Sequence, residues 1–337
     1  MFDAQTSPIM LIYSSRRGGS RLEGPTTASA RRSAPTFLVV VLATLLIAFG
    51  CSSERTPSSP EVARSPVVVA VGDIAADCRR EAHEGSAEAT AELLNAIIQG
   101  TVFALGDLAV PQGSAESFQE CYDLSWGQFK WRTRPVPGNQ EYYTQGAAGY
   151  FDYFGKAAGE PGKGYYSYNL GSWHLVALNS NCEEVGGCEE SSPQVRWLKA
   201  DLAANDDKRC TLAYMHHPRF SSGEENGNTY EVKPLWGALY EARAEVVLSA
   251  NERNYERFAP QKPGGRADPQ RGIREFVVGT GGGKGHNPIV EPIANSEVHN
   301  DDTYGVLKLT LNPESYEWRF VPVEGETFSD SGSARCH

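Results

Sequence analysis

VVVAVGD (67–73) and TVFALGD (101–107) decide the reading of this chain. Each is a continuous run of β-branched and apolar residues, too uniform for a strand with one wet face, and each stops at Gly-Asp. A strand apolar on both faces reads as buried in the middle of a sheet. The segment between them, 86–98, carries apolar residues at helical spacing after Ser86 at the cap position, so the order is strand, helix, strand. Further along, Arg134 to Pro137 reads as a short extended piece closed by Gly138-Asn139. Tyr165 to Leu170 and Trp173 to Asn179 read as a hairpin over Gly171-Ser172. Helices are predicted over 192–204 and 231–242, and strands over Cys210 to Met215, Glu245 to Ser249, Ile273 to Gly279, Tyr304 to Leu311 and Tyr316 to Val321. A βαβ start followed by hairpins predicts mixed sheets covered by helices.

Polar residues gather where these strands end. Five stations stand out: Gly72-Asp73, Gly106-Asp107, Gly138-Asn139-Gln140-Glu141, His216-His217-Pro218 and Ala250-Asn251-Glu252-Arg253. In open α/β sheets, ligand sites lie at the carboxyl ends of strands. Asp, Asn and His are oxygen and nitrogen donors suited to Zn, Fe, Mn or Mg. One Gly-Asp after a strand is a turn; five such stations in one order imply a shared site.

That order resembles the calcineurin-like metallophosphoesterase family, and within it the branch similar to purple acid phosphatases, from about Val67 to about Val323. The Asp, Gly-Asp, Gly-Asn-His-Glu, His and Gly-His-x-His motifs of the family fall on the five stations. Tyr255-Glu256-Arg257 stands where that branch continues to Tyr-Glu-Arg. The resemblance implies an α/β fold: a four-layer α-β-β-α sandwich of two mixed sheets flanked by helices, over residues 67–325, with 326–337 as a C-terminal tail. It implies Asp73, Asp107, Asn139, His216 and Asn251 as metal ligands. Asp107, His216 and Gln140 stand at catalytic positions, and Arg253 and His217 are the phosphate-binding candidates.

The chain departs from the pattern at five places, one of them Ala250 in place of the Gly of Gly-His-x-His. Gln140 replaces His, and an amide cannot act as an acid near neutral pH. Asn251 and Arg253 replace the two His of Gly-His-x-His, and Arg has no lone pair for a metal. Val110 stands where that branch has a metal-binding Tyr. The expectation is therefore a divalent metal at one site rather than two, with Arg253 substituting for the other by a forked pair to Asp73 or Asp107. The implied function is metal-dependent phosphoric ester hydrolysis of a small phosphorylated substrate, impaired or altered by these losses. The alternative is a non-catalytic phosphate-ligand-binding or interaction protein on the same fold.

Charge and targeting bound the rest. The chain has 337 residues, 40% hydrophobic and 22% charged, with a formal net charge of −11. The first fifty hold five Arg and only Asp3 and Glu23, so the remainder has 26 basic against 40 acidic residues, a net of −14. Such a surface argues against nucleic acid as a partner. Those Arg precede an apolar run, Phe37 to Phe49, that suits a signal peptide rather than a membrane span of ~20 residues. Gly50-Cys51 then resembles a bacterial lipoprotein signal, so 1–50 reads as leader, Cys51 as the lipidation site, and 51–66, rich in Ser and Pro, as a tether. The expected location is extracytoplasmic, anchored to a membrane or secreted. The six other Cys form an even set that suggests three disulfides, with pairing open. GTGGGKG (279–285) fails the Walker spacing and reads as a flexible loop at the site rim.

Overall fold

A computed structural model describes residues 64–75 and 86–337. The leader, Cys51 and nearly all of the tether lie outside the described residues, as does Cys78. Thirteen strands are described: β1 (Val67–Val71), β2 (Thr101–Leu105), β3 (Thr133–Val136), β4 (Tyr166–Leu170), β5 (Trp173–Ala177), β6 (Cys210–Tyr214), β7 (Val246–Ser249), β8 (Tyr255–Phe258), β9 (Arg274–Val278), β10 (Ser296–Asn300), β11 (Gly305–Asn312), β12 (Ser315–Pro322) and β13 (Ser331–Arg335). The helices are α1 (Ala87–Ala96), α2 (Ala115–Ser117), α3 (Asp123–Ser125), α4 (Ala148–Phe154), α5 (Pro193–Ala204) and α6 (Lys233–Glu241), with short 3-10 and π segments between them.

Six strands form one mixed sheet in the order β13-β12-β11-β1-β2-β3, and seven form the other in the order β10-β8-β9-β7-β6-β5-β4. The runs that opened the sequence are central: β1 lies between parallel β2 and antiparallel β11. In the second sheet β5, β6, β7 and β9 run parallel. Alternation assigns their faces. Leu212 and Tyr214 of β6 point into the core shared with the first sheet, while Ala213 and Met215 pack with Leu198, Leu235 and Trp236 of α5 and α6. Phe103 of β2 stacks on Tyr214 of β6 at 4.4 Å, joining the sheets. Two mixed sheets flanked by helices is the architecture expected from the motifs.

Local signals set the helix ends. Ser192 Oγ accepts from Val195 N–H ahead of Pro193, an N-cap with Pro at the first position. Ser86 makes no side-chain cap; its backbone N–H donates to Gly282 O at 3.1 Å. The C-terminal carbonyls of α1 are satisfied from afar, by the Arg132 guanidinium on Leu94 O and Ile97 O at 3.0 and 2.9 Å.

Two expectations need correction. Residues 326–337 are not a tail: β13 pairs with β12 over Ser331–Arg335, Asp330 takes Tyr255 Oη–H and the Arg257 guanidinium, and Cys336 is bonded to Cys210. The strand SGSAR lacks an apolar pattern, so only its partner reveals it. Nor is GTGGGKG a loose loop. Gly281 N–H donates to Gly72 O and Gly283 N–H to Asp73 O, and a Cβ on Gly281 would meet Gly72 O at 2.5 Å. Its glycines permit close packing of backbone on backbone. Of the expected disulfides, Cys182–Cys188 and Cys210–Cys336 are formed, and Cys121 is also oxidised. Among the described residues no helix is long and apolar enough to cross a membrane.

Candidate functional site

Every station sits at the carboxyl end of a strand: Asp73 after β1, Asp107 after β2, Asn139 and Gln140 after β3, His216 after β6, Asn251 and Arg253 after β7. The chain must turn sharply there while presenting a polar side chain. Asp73, Asp107 and Asn251 do so with φ of 54°, 53° and 66°. Asp and Asn tolerate this left-handed conformation better than other non-Gly residues. Backbone bonds lock the ends together: Asp73 N–H to Gly106 O, Ile74 N–H to Asp107 O, and Ala250 N–H to His216 O, at 3.0, 3.0 and 2.8 Å. A Cβ on Gly106 would come within 2.6 Å of His216 Nδ1, and one on Gly138 would strike the Asp107 carboxylate. Those two glycines make the convergence sterically possible.

The centre is a cluster of three donors. His216 Nε2 lies 3.2 Å from Asn139 Oδ1 and 3.4 Å from Asp107 Oδ1. Its Nδ1–H donates to Leu105 O at 2.7 Å, which leaves Nε2 as the nitrogen facing the site. Asp107 Oδ1 also accepts Gln140 N–H at 2.9 Å. Beside the cluster, Asp73 Oδ2 accepts Asn251 N–H at 2.9 Å. Asn251 therefore reaches the site through its backbone, and its carbonyl accepts from Asn226 Nδ2 at 3.2 Å. The Arg253 guanidinium pairs with Glu225 Oε2 at 2.9 Å, not in a fork with Asp73 or Asp107. The chain after Ser222 explains this. Glu252, fully buried, accepts the N–H groups of Asn226 and Gly227, and so carries Glu225 to the arginine.

Electrostatics follow from this packing. Burial and the neighbouring Asp107 charge push the Asp73 carboxyl up to about 8, against the pull of His216 and Arg253. Burial would also raise Asp107, but the His216 ring beside it holds it below the usual carboxylate range. Burial alone would depress His216, yet Asp107 and Asp73 hold it up at about 9. His217 is pushed down to about 3 by burial and by the charge on His216. Ser180 Oγ accepts His217 N–H at 2.9 Å and lies 2.8 Å from His217 Nδ1. If its own hydrogen goes to Nδ1, the proton of the neutral ring sits on Nε2.

Sequence reasoning gave no role to Glu141, although it stood in a quoted station. Its fully buried carboxylate accepts Asp107, Leu108 and Gly138 N–H at 2.9, 2.8 and 2.7 Å, tying two stations together. A sixth strand-end station, Asn179-Ser180-Asn181, was absorbed into a strand read as running to Asn179; β5 stops at Ala177. Tyr255-Glu256-Arg257 opens β8, where Arg257 pairs with Asp330 and Glu297, a structural role.

Among the described residues no group of three or more His, Cys, Asp or Glu is arranged to hold a metal. The central cluster includes an Asn, and its spacing does suit one cation. Ligands ~2.0–2.2 Å from a tetrahedral metal lie roughly 3.3–3.6 Å apart, close to the two separations at Nε2. The charged neighbours of Asp73 are His216 and Asp107, both already in that cluster, and Arg253, which has no lone pair for a metal.

No family model and no curated protein matches the sequence. Solved structures do. A purple acid phosphatase from yellow lupin (Lupinus luteus) superposes with a TM-score of 0.65 at 16% identity, over 80% of this chain and 53% of that one. GAP50, the anchor in the inner membrane complex of Plasmodium, gives 0.60 at 13%, over 81% and 90%. PhoD gives 0.50 at 10%, over 81% and 70%. The chain thus spans about half the length of the lupin phosphatase. With its two mixed sheets and their flanking helices, it has the calcineurin-like metallophosphoesterase fold.

Proposed function

We propose that this protein is a metal-dependent phosphoric ester hydrolase that works with one divalent cation. The observation that carries the reading is the convergence of His216 Nε2, Asn139 Oδ1 and Asp107 Oδ1, with Nδ1 of the same histidine already spent on Leu105 O. Zn, Mn, Fe or Mg held by these three atoms would supply Lewis acidity toward a phosphoryl oxygen. The protein's own groups do the rest. Gln140 N–H holds Asp107 in place. Neutral His217 would offer Nε2–H as a donor to phosphate. Arg253, half-buried at the rim, is a guanidinium that a phosphate could take over from exposed Glu225. Gln140 cannot protonate a leaving group, so good leaving groups are favoured. The oxidised cysteines fit an extracytoplasmic setting. Membrane attachment through Cys51 remains part of the proposal.

A second reading, phosphate binding without turnover, has one observation in its favour: Arg253 already holds a carboxylate. The similarity to GAP50, described as an anchor, is in keeping with it. Two measurements separate the readings. Phosphate release from p-nitrophenyl phosphate with added Mn, Zn or Fe, lost in His216→Ala, supports hydrolysis. Saturable phosphate binding with no turnover under any metal supports the binder.

A further inference from the structure

A cleft of about 410 Å³ adjoins the site and shares with it Asn139, a member of the cluster that would hold the cation, and His217. Its lining is one-sided in chemistry. It includes the carboxylates of Glu183, Glu184 and Glu231 and the rings of Tyr142 and Tyr143, and no Lys or Arg. The Cys182–Cys188 disulfide closes the short loop that presents Glu183 and Glu184. Independent of these acids, Asn181 sits in the wall only 9% exposed. Its Nδ2 hydrogens go to Pro137 O and Asn179 Oδ1, at 3.1 and 2.9 Å, so the amide orientation is set. Its Oδ1, an acceptor with two lone pairs, takes no hydrogen from the protein. Arg219 tempers the charge of Glu231, but it lies buried against the rings of Phe220 and Tyr230 at 4.5 and 5.0 Å.

An amide oxygen open to the cleft and unused by the protein, beside three carboxylates and aromatic faces, suits a ligand rich in N–H and positively charged. We infer that this cleft binds the alcohol portion of the substrate, and that this portion carries an ammonium group. The inference rests on the proposed hydrolase reading for the position of the phosphate, but the cleft's preference for a cation can be measured without turnover. A phosphoryl group at the cluster and an aminoalkyl chain in the cleft would place opposite charges of one small molecule against opposite needs of the protein.

The test uses the full chain with O-phosphoethanolamine and propyl phosphate, which replaces the ammonium by an uncharged methyl group and keeps the phosphate. Affinity is measured by calorimetry, and phosphate release is measured with added Mn. The wild type should favour the amine about tenfold in affinity, and 0.5 M NaCl should erode the preference. In the E183Q/E184Q/E231Q variant the ratio should fall to about twofold or less, with propyl phosphate affinity little changed. Single E184Q and E231Q variants give intermediate ratios if the triple variant fails to fold. Equal affinities in the wild type, no binding of either compound, or a preference that survives all three substitutions would overturn the inference. Tight, selective binding of the amine with no phosphate released would keep the cleft assignment and refute hydrolysis. Release of phosphate from both compounds at equal efficiency would do the reverse.

Discussion

His216→Ala removes the only imidazole nitrogen in the central cluster. Calorimetric titration with Zn or Mn is expected to fall from one cation per chain to none, with hydrolysis at background. Two tightly bound cations in the wild type would contradict the one-site reading. Gln140→His adds an acid where an amide now stands. Positioned acid-base groups are worth on the order of 10²–10⁴ in rate, so a kcat gain of at least about tenfold on alkyl phosphates is expected. The gain should be smaller on p-nitrophenyl phosphate, whose leaving group needs no proton. Glu275 gives a pH signature away from the site. Burial pushes its carboxyl from an ordinary 4.5 up to about 8, although it accepts Arg219 and Phe220 N–H. A raised carboxyl stabilises the fold most when protonated. Below about 4.5 both states are neutral; as pH rises toward 8 the unfolded chain releases the proton and the fold keeps it. Relative to Glu275→Gln, wild-type stability should therefore decline across that window by at most about 1.4 kcal/mol per pH unit, then level off. Urea unfolding at pH 5, 6, 7 and 8 measures it.

Turns after strands, rather than the strands, shape the site, and buried carboxylates hold those turns. Glu141 serves the ends of β2 and β3, Glu252 the chain around Asn226, and Glu275 the start of the segment after His217. Glu141→Gln puts an amide N–H₂ against at least one backbone donor. Stability should fall by about 1–3 kcal/mol, measured by denaturant unfolding, and cation affinity should drop with it because Asp107 loses its anchor. Unchanged affinity would mean the turn holds itself.

Across the whole molecule, the Cys210–Cys336 bridge ties β6 of one sheet to the chain just after β13 of the other, 126 residues apart in sequence. A loop that long costs the unfolded chain several kcal/mol of entropy when closed, so Cys336→Ser should lower stability by about 2–5 kcal/mol. Deleting 326–337 should be worse, since it also strips β12 of its partner and exposes that strand's edge. Thermal unfolding of both variants checks the order.

Short-range chemistry was legible from the residues alone. Uniform apolar runs marked buried strands, Gly-Asp marked their ends, and the order of five polar stations marked the fold and the place of the site. Such signals are local, because strand burial and turn conformation depend on a few neighbouring side chains. Folding decided what depends on partners distant in the chain: that Arg253 pairs with Glu225, that Asn251 works through its N–H, that SGSAR becomes a strand, and that the glycine run is packed. Each of those outcomes is a competition between contacts separated by tens to hundreds of residues. No local pattern encodes which contact wins; only the packed chain, with every donor and charge placed against its alternatives, does so.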